Sequence, residues 1–116
     1  MTERLRRSLD RVTRVRGVRG ALVVTRDDGL VVADALMEGV RGDAVAALAA
    51  SLASRLGSAA RASGLGAPHF YHLQATEGTL LAVPGPSGVL VVVVADHELN
   101  VGLARLEMLR VAEAIW

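Results

Sequence analysis

The chain of 116 residues contains no cysteine and only three aromatic side chains, and all of its basic residues other than histidine are arginine. The absence of cysteine excludes disulfides and thiolate chemistry, and it favours a reducing, cytoplasmic setting. The absence of lysine excludes the phosphate-binding motif G-x-x-x-x-G-K-[ST]. Because 52% of the residues are hydrophobic while so few are aromatic, valine, leucine and alanine must form the core.

Long apolar segments are also missing. The apolar run at residues 89–95 is as long as any in the chain and falls far below the roughly 18 to 20 residues that a membrane-spanning helix needs. The N-terminus is polar and has no apolar segment typical of a secretory signal. We therefore expect residues 1–116 to form a single cytoplasmic domain that does not insert into membranes.

The formal net charge is only +1, which gives no support to nucleic-acid binding. The charge is unevenly distributed, however, because basic residues crowd the first twenty positions. They are Arg4, Arg6, Arg7, Arg11, Arg14, Arg16 and Arg19, against Glu3 and Asp10. Such a segment could contact RNA, an anionic lipid surface or an acidic partner, but a solvated helix face is the more ordinary explanation.

Hydrophobic periodicity predicts three helices and five strands. The helices cover 2–15, 43–63 and 100–116, with Thr2, Asp43 and Asn100 as expected N-caps. The strands cover 21–25, 30–34, 69–75, 79–83 and 89–95. The Asp28-Gly29 pair between two apolar runs predicts a hairpin.

The element order α-β-β-α-β-β-β-α predicts an α/β (α+β) fold with a five-stranded, mostly antiparallel sheet, because the links between successive strands are short. The last strand, 89–95, is apolar at every position, so both of its faces must be covered. We therefore expect the first and last helices on one face of the sheet and the long middle helix on the other.

The middle helix has two distinct faces. Val45, Leu48, Leu52, Leu56 and Ala59 recur at spacings of three and four, which predicts an apolar face packed on its own domain. The opposite face carries Ala47, Ala50, Ser54, Gly57 and Arg61. We interpret this small-residue row as a contact surface for another protein, since small side chains allow a second backbone to approach closely. The alternative is an alanine-rich surface helix, because alanine has the highest helix propensity.

The strand 69–75 mixes polar and apolar residues and is predicted to lie at a sheet edge. Unprotected edges readily pair with other chains. We expect Phe70, Tyr71, His72, Leu73 and Gln74 to pair with the same strand of a second copy. A two-fold axis makes such a patch self-complementary, and it would bring the two middle helices side by side.

No arrangement of residues predicts catalysis. His69 and His72 are three residues apart on a predicted strand and so point to opposite faces, while His97 stands alone between Asp96 and Glu98. The glycine-rich segments 17–20 and 84–88 are explained by turns. The sequence therefore predicts no enzymatic activity, no metal site and no cofactor.

Four segments together resemble the Roadblock/dynein light chain family, in its stand-alone prokaryotic form. They are residues 16–33, 47–61, 78–95 and 99–108, and they span nearly the whole chain. Each segment is low in information, but their order and spacing are specific.

The resemblance implies a homodimer whose two sheets join, acting as a partner or regulator of a Ras-like small GTPase. Similar bacterial proteins are partners and GTPase-activating proteins of a gliding-polarity GTPase. On this basis Ala47, Ala50, Ser54, Gly57 and Arg61 are candidate contacts with the GTPase or the sister protomer, and no arginine finger is assigned. The alternatives are a structural adaptor or scaffold and, less favoured, a small-molecule sensory domain, for which no convergent polar groups are found in the sequence.

Overall fold

A computed structural model describes residues 2–115. Its helices are α1 (Thr2–Thr13), α2 (Gly42–Ala62) and α3 (Val101–Glu113). Its strands are β1 (Val18–Thr25), β2 (Val31–Leu36), β3 (Tyr71–Ala75), β4 (Gly78–Pro84) and β5 (Val89–Ala95), with a short 3-10 turn at Pro86–Gly88. The predicted element order is confirmed, but the last helix ends at Glu113, with Ala114 as its C-cap, before the predicted end at Trp116.

The helix caps agree with the sequence only at α3. Asn100 caps α3, because its side-chain oxygen accepts a hydrogen bond from the Leu103 backbone N–H at 3.0 Å. The expected Asp43 cap is wrong: α2 begins at Gly42, and the capping position is held by Arg41, whose side chain makes no capping hydrogen bond. Asp43 lies in the first turn, where its charge still favours the positive end of the helix dipole. Thr2 is the first residue of α1. Its predicted role as the N-cap depends on its side chain, which is outside the described part of the structure.

The Asn100 cap makes a measurable contribution to stability. Asn100→Ala should lower the free energy of unfolding by about 1 kcal/mol, because one backbone N–H at the start of α3 loses its acceptor. Urea unfolding followed by circular dichroism measures this change, and Asn100→Asp, which keeps an acceptor oxygen, is the matched control. An unchanged unfolding midpoint in the alanine variant would show that the cap is unimportant.

The five strands form one sheet in the order β2-β1-β5-β4-β3, and each neighbouring pair is antiparallel. β5 occupies the centre, where Val91 lies opposite Val23 of β1 on one side and Val83 of β4 on the other. β2 and β3 form the two edges, so the predicted edge position of β3 is confirmed.

A separate apolar layer covers each face of the sheet. On one face, Leu9 and Val12 of α1 and Met108 of α3 pack on alternate residues of the central strands. On the other face, α2 packs on Leu22, Val24, Leu80, Leu90 and Val92. The predicted placement of the helices is therefore confirmed. No helix within residues 2–115 is long and apolar enough to cross a membrane.

The predicted orientation of α2 is correct only in part. Ala46, Ala49 and Ala53 are the buried side chains packed on the sheet, and the predicted Val45 and Leu52 pack beside them while partly buried. Leu48 and Leu56, which were also expected there, remain 48% and 45% exposed. The physical reason lies in the sheet, which already fills the space beneath α2 with large leucine and valine side chains. Because interiors are close-packed, the helix fits there with small residues, and Leu48 and Leu56 turn outward.

Candidate functional site

The leucines of α2 form a row that we name the leucine ridge: Leu48, Leu52 and Leu56. Leu48 and Leu56 are exposed and Leu52 is half-buried. Monomeric proteins rarely display contiguous apolar patches, and such patches often mark protein contacts. The ridge is therefore the first candidate binding feature on this face.

Two depressions connect the leucine ridge to the edge strand β3. The first, of about 340 Å³, runs from Leu56 and Ala60 to Tyr71 and His72, with exposed Leu65 at its rim. The second, of about 260 Å³, runs from Val45 and Leu48 to Leu73 and Ala75. The leucine ridge and β3 together form one mainly apolar surface, which we name the edge surface.

β3 supplies the edge surface with both side chains and backbone. Tyr71 is buried and Leu73 half-buried against the α2 layer, whereas His72 and Gln74 are exposed. Within residues 2–115 only β4 pairs with β3, so the outer side of the strand has no strand partner. A free strand edge beside an apolar helix face is suited to pairing with another chain.

The predicted start of this strand needs correction. β3 begins at Tyr71, so His69 and Phe70 precede it. The Phe70 ring lies 4.8 Å from the guanidinium carbon of Arg105 and packs on the layer formed by α1 and α3. Phe70 is therefore held by a stacking contact with α3 rather than by strand pairing, although it also lines the first depression.

The structure divides the predicted small-residue row. Ala50 and Gly57 are buried, and a side chain built at Gly57 would meet only the Arg61 guanidinium, at 3.5 Å. Ala47, Ser54 and Arg61 are exposed. Ala50 and Gly57 are therefore poorly placed for direct contact with a partner, while the other three remain accessible.

The accessible part of this row borders a shallow groove of about 330 Å³, which we name the small-residue groove. It is lined by Asp27 and Asp28 of the β1–β2 turn and by Ala47, Ala50, Ser51, Ser54 and Arg55 of α2. The groove combines small, hydroxyl and charged side chains, so it offers hydrogen-bonding groups where the edge surface offers aliphatic ones.

A glycine fixes the turn beside this groove. Gly29 has φ +67°, and a Cβ there would lie 3.3 Å from the Ala46 carbonyl oxygen and from the Ala47 Cα. The backbone of the β1–β2 turn therefore lies directly against α2, as only glycine permits. This contact holds Asp27 and Asp28 beside the helix.

The histidines do not converge on a common site. His97 Nε2 lies 3.1 Å from the Thr76 carbonyl oxygen, and His69 Nδ1 lies 3.4 Å from Arg105 Nη2. Within residues 2–115, no group of three or more His, Cys, Asp or Glu side chains is placed to bind a metal ion. These contacts link loops and helices of the fold.

The sequence also carried a signal for the alanines by which α2 packs on the sheet. Ala46, Ala49, Ala53 and Gly57 recur at spacings of three and four, as regularly as the leucines do. A scale that rewards large apolar side chains selects the leucine row. The alanine row fits the sheet better than the leucine row only once the large residues of the facing strands are considered.

Comparison with known proteins places this geometry in a family. The Roadblock/LC7 domain model matches residues 6–95. The uncharacterised protein MJ0714 of Methanocaldococcus jannaschii is 36% identical over 112 residues, covering 94% of this chain and 91% of that protein.

Solved structures agree with this placement. The gliding protein MglB of Thermus thermophilus superposes with a TM-score of 0.82 at 26% identity, covering 97% of this chain and 85% of that one. A structure described as MglB with tetrameric arrangement gives a TM-score of 0.83 at 28% identity, with the same coverage. The chain described here belongs to the Roadblock/LC7 family.

Proposed function

We propose that the protein is a homodimer joined through the edge surface. In this dimer the β3 strands of the two protomers pair antiparallel and extend the sheet, and the leucine ridges pack side by side. The support comes from one continuous surface: a strand edge without a partner in residues 2–115, bordered by Leu48 and Leu56, which are exposed in the monomer. A two-fold axis satisfies both features at once.

We further propose that this dimer is a non-enzymatic cytoplasmic regulator of a Ras-like small GTPase. The observation that carries the proposal is the small-residue groove, which stays open on α2 next to the edge surface in a Roadblock/LC7 chain similar to MglB. Its small side chains permit close approach, and Ser51 and Ser54 offer hydroxyls to a partner backbone. Of the predicted contacts, Ala47, Ser54 and Arg61 are accessible for this role, together with Asp27 and Asp28.

The proposal is tested with a Ras-like GTPase from the same genome. We expect this protein to bind the GTP-bound form and to change the rate of GTP hydrolysis, measured by phosphate release with and without it. Binding without a change in rate would favour the adaptor function. Neither binding nor a rate change, with each such GTPase tried, would contradict both.

Substitutions in the groove give a specific prediction. Ala47→Arg combined with Ser54→Arg should weaken GTPase binding at least about tenfold, because two long charged side chains would fill the groove. Titration calorimetry measures the affinity. The matched control places the same side chains at Val32 and Met37, both exposed and outside the groove lining, and should bind normally. Equal loss in both variants would exclude the groove as the contact.

A further inference from the structure

A basic surface lies on the side of the sheet away from α2. Arg4, Arg7 and Arg11 of α1 are spaced three and four residues apart and are exposed. None of the three forms an ion pair with a described residue. A guanidinium without a carboxylate partner at the surface is available to an external anion.

These arginines converge on a groove between α1 and α3. The groove measures about 310 Å³ and is lined by Arg4, Arg7, Ser8, Arg11, Arg110 and Glu113. Arg110 donates to Glu107 at 2.9 Å and is thereby neutralised. The groove thus retains the positive charge of α1 against the single carboxylate of Glu113.

Exposed leucines lie beside this groove on α3. Leu103, Leu106 and Leu109 are 45%, 49% and 40% exposed. Residues three positions apart lie about 60° apart around the helix axis, so the three leucines span about 120° of the helix surface. The exposed Arg110 and Glu113 lie within the same sector, so leucines and charged groups alternate on the outer face of α3. Such a mixed face suits the boundary of a bilayer, where apolar side chains enter beside charged headgroups.

We propose that the outer face of α1 and α3 binds peripherally to an anionic lipid bilayer. The arginines of α1 would contact lipid phosphates, and the leucines of α3 would enter the boundary between headgroups and acyl chains. Charge complementarity requires an anion, and the leucines require an apolar environment next to it. An RNA backbone satisfies only the first requirement.

This binding mode sets the orientation of the molecule. The layer of α1 and α3 lies on the opposite face of the sheet from α2, so membrane contact leaves the edge surface and the small-residue groove free. In the dimer proposed above, a two-fold axis perpendicular to the sheet would place both arginine surfaces toward the same membrane and strengthen binding through avidity. The lipid contact itself does not depend on dimerisation.

Co-sedimentation with vesicles tests the proposal. We expect binding to mixed phosphatidylglycerol–phosphatidylcholine vesicles and at least about tenfold weaker binding to phosphatidylcholine alone. The triple variant Arg4→Glu, Arg7→Glu, Arg11→Glu should lose at least about tenfold in affinity for anionic vesicles. The double variant Leu103→Ser, Leu106→Ser should also bind vesicles more weakly, and added salt should abolish the binding that remains. Circular dichroism confirms that each variant is folded.

The matched control reverses the same number of charges on other exposed surfaces: Arg26→Glu, Arg41→Glu, Arg55→Glu. This variant should bind anionic vesicles as the unmodified protein does. An equal loss of vesicle affinity in the two triple variants would show that only net charge matters, and it would overturn the proposal. Equal binding to neutral vesicles, or binding to an RNA oligonucleotide with none to anionic vesicles, would also overturn it.

Discussion

Replacing Leu48 and Leu56 together with glutamate should convert a dimer into a folded monomer. Both side chains are about half exposed in the isolated chain, so the substitutions leave the core intact. Burying the exposed half of one leucine contributes about 1 kcal/mol to dimerisation. The two protomers together bury four such leucines, which gives about 4 kcal/mol. The dissociation constant should therefore rise about 1000-fold or more, since the glutamates also introduce like charges.

Analytical ultracentrifugation over a range of concentrations measures this change, and circular dichroism reports the fold. The control variant carries glutamate at Leu30 and Val32, which are at least as exposed but lie by the β2 edge. It should dimerise normally. A monomeric unmodified protein at micromolar concentration, or a dimer that survives glutamates in the leucine ridge, would contradict the edge surface as the interface.

The second large effect concerns the buried side of α2. Ala49→Glu should abolish folding or lower the free energy of unfolding by about 4 kcal/mol or more. Ala49 is fully buried between α2 and the sheet, where an unpaired carboxylate would be removed from water. That loss is comparable with the entire stability of a small domain. Urea unfolding followed by circular dichroism measures it.

Ala47→Glu is the matched control, two residues away on the exposed side of the same helix. Its effect on stability should stay within about 0.5 kcal/mol, as is usual for surface positions. Similar unfolding midpoints for the two variants would mean that α2 does not pack on the sheet through its alanines. The pair therefore tests the orientation of the helix directly.

The sequence predicted the architecture well because short-range patterns carry it. The uninterrupted apolar run of β5 required cover on both faces, and the helices supply it. Val91 and Val93 lie in the layer beneath α1 and α3, and Leu90 and Val92 lie in the layer beneath α2. Asn100 was identified as a cap because its role needs only its own helix turn. The mixed composition of residues 69–75 also predicted an edge strand.

The candidate site was less predictable because it depends on which helix face is left over after packing. Ala50 and Gly57 were expected on a binding surface and are buried instead. Leu48 and Leu56 were expected in the core and lie outside it. Two rows of equal periodicity compete for the sheet, and periodicity alone gives no preference between them.

By itself, the sequence determined the order of the elements, the antiparallel sheet and the side of the sheet taken by each helix, because hairpin turns and apolar runs act over a few residues. Only the tertiary structure decided the rotation of α2 about its own axis. The large side chains of Leu22, Leu80 and Leu90 already occupy the space beneath the helix, so close packing admits alanine there and leaves Leu48 and Leu56 at the surface. The binding surfaces proposed for this protein follow from that fit.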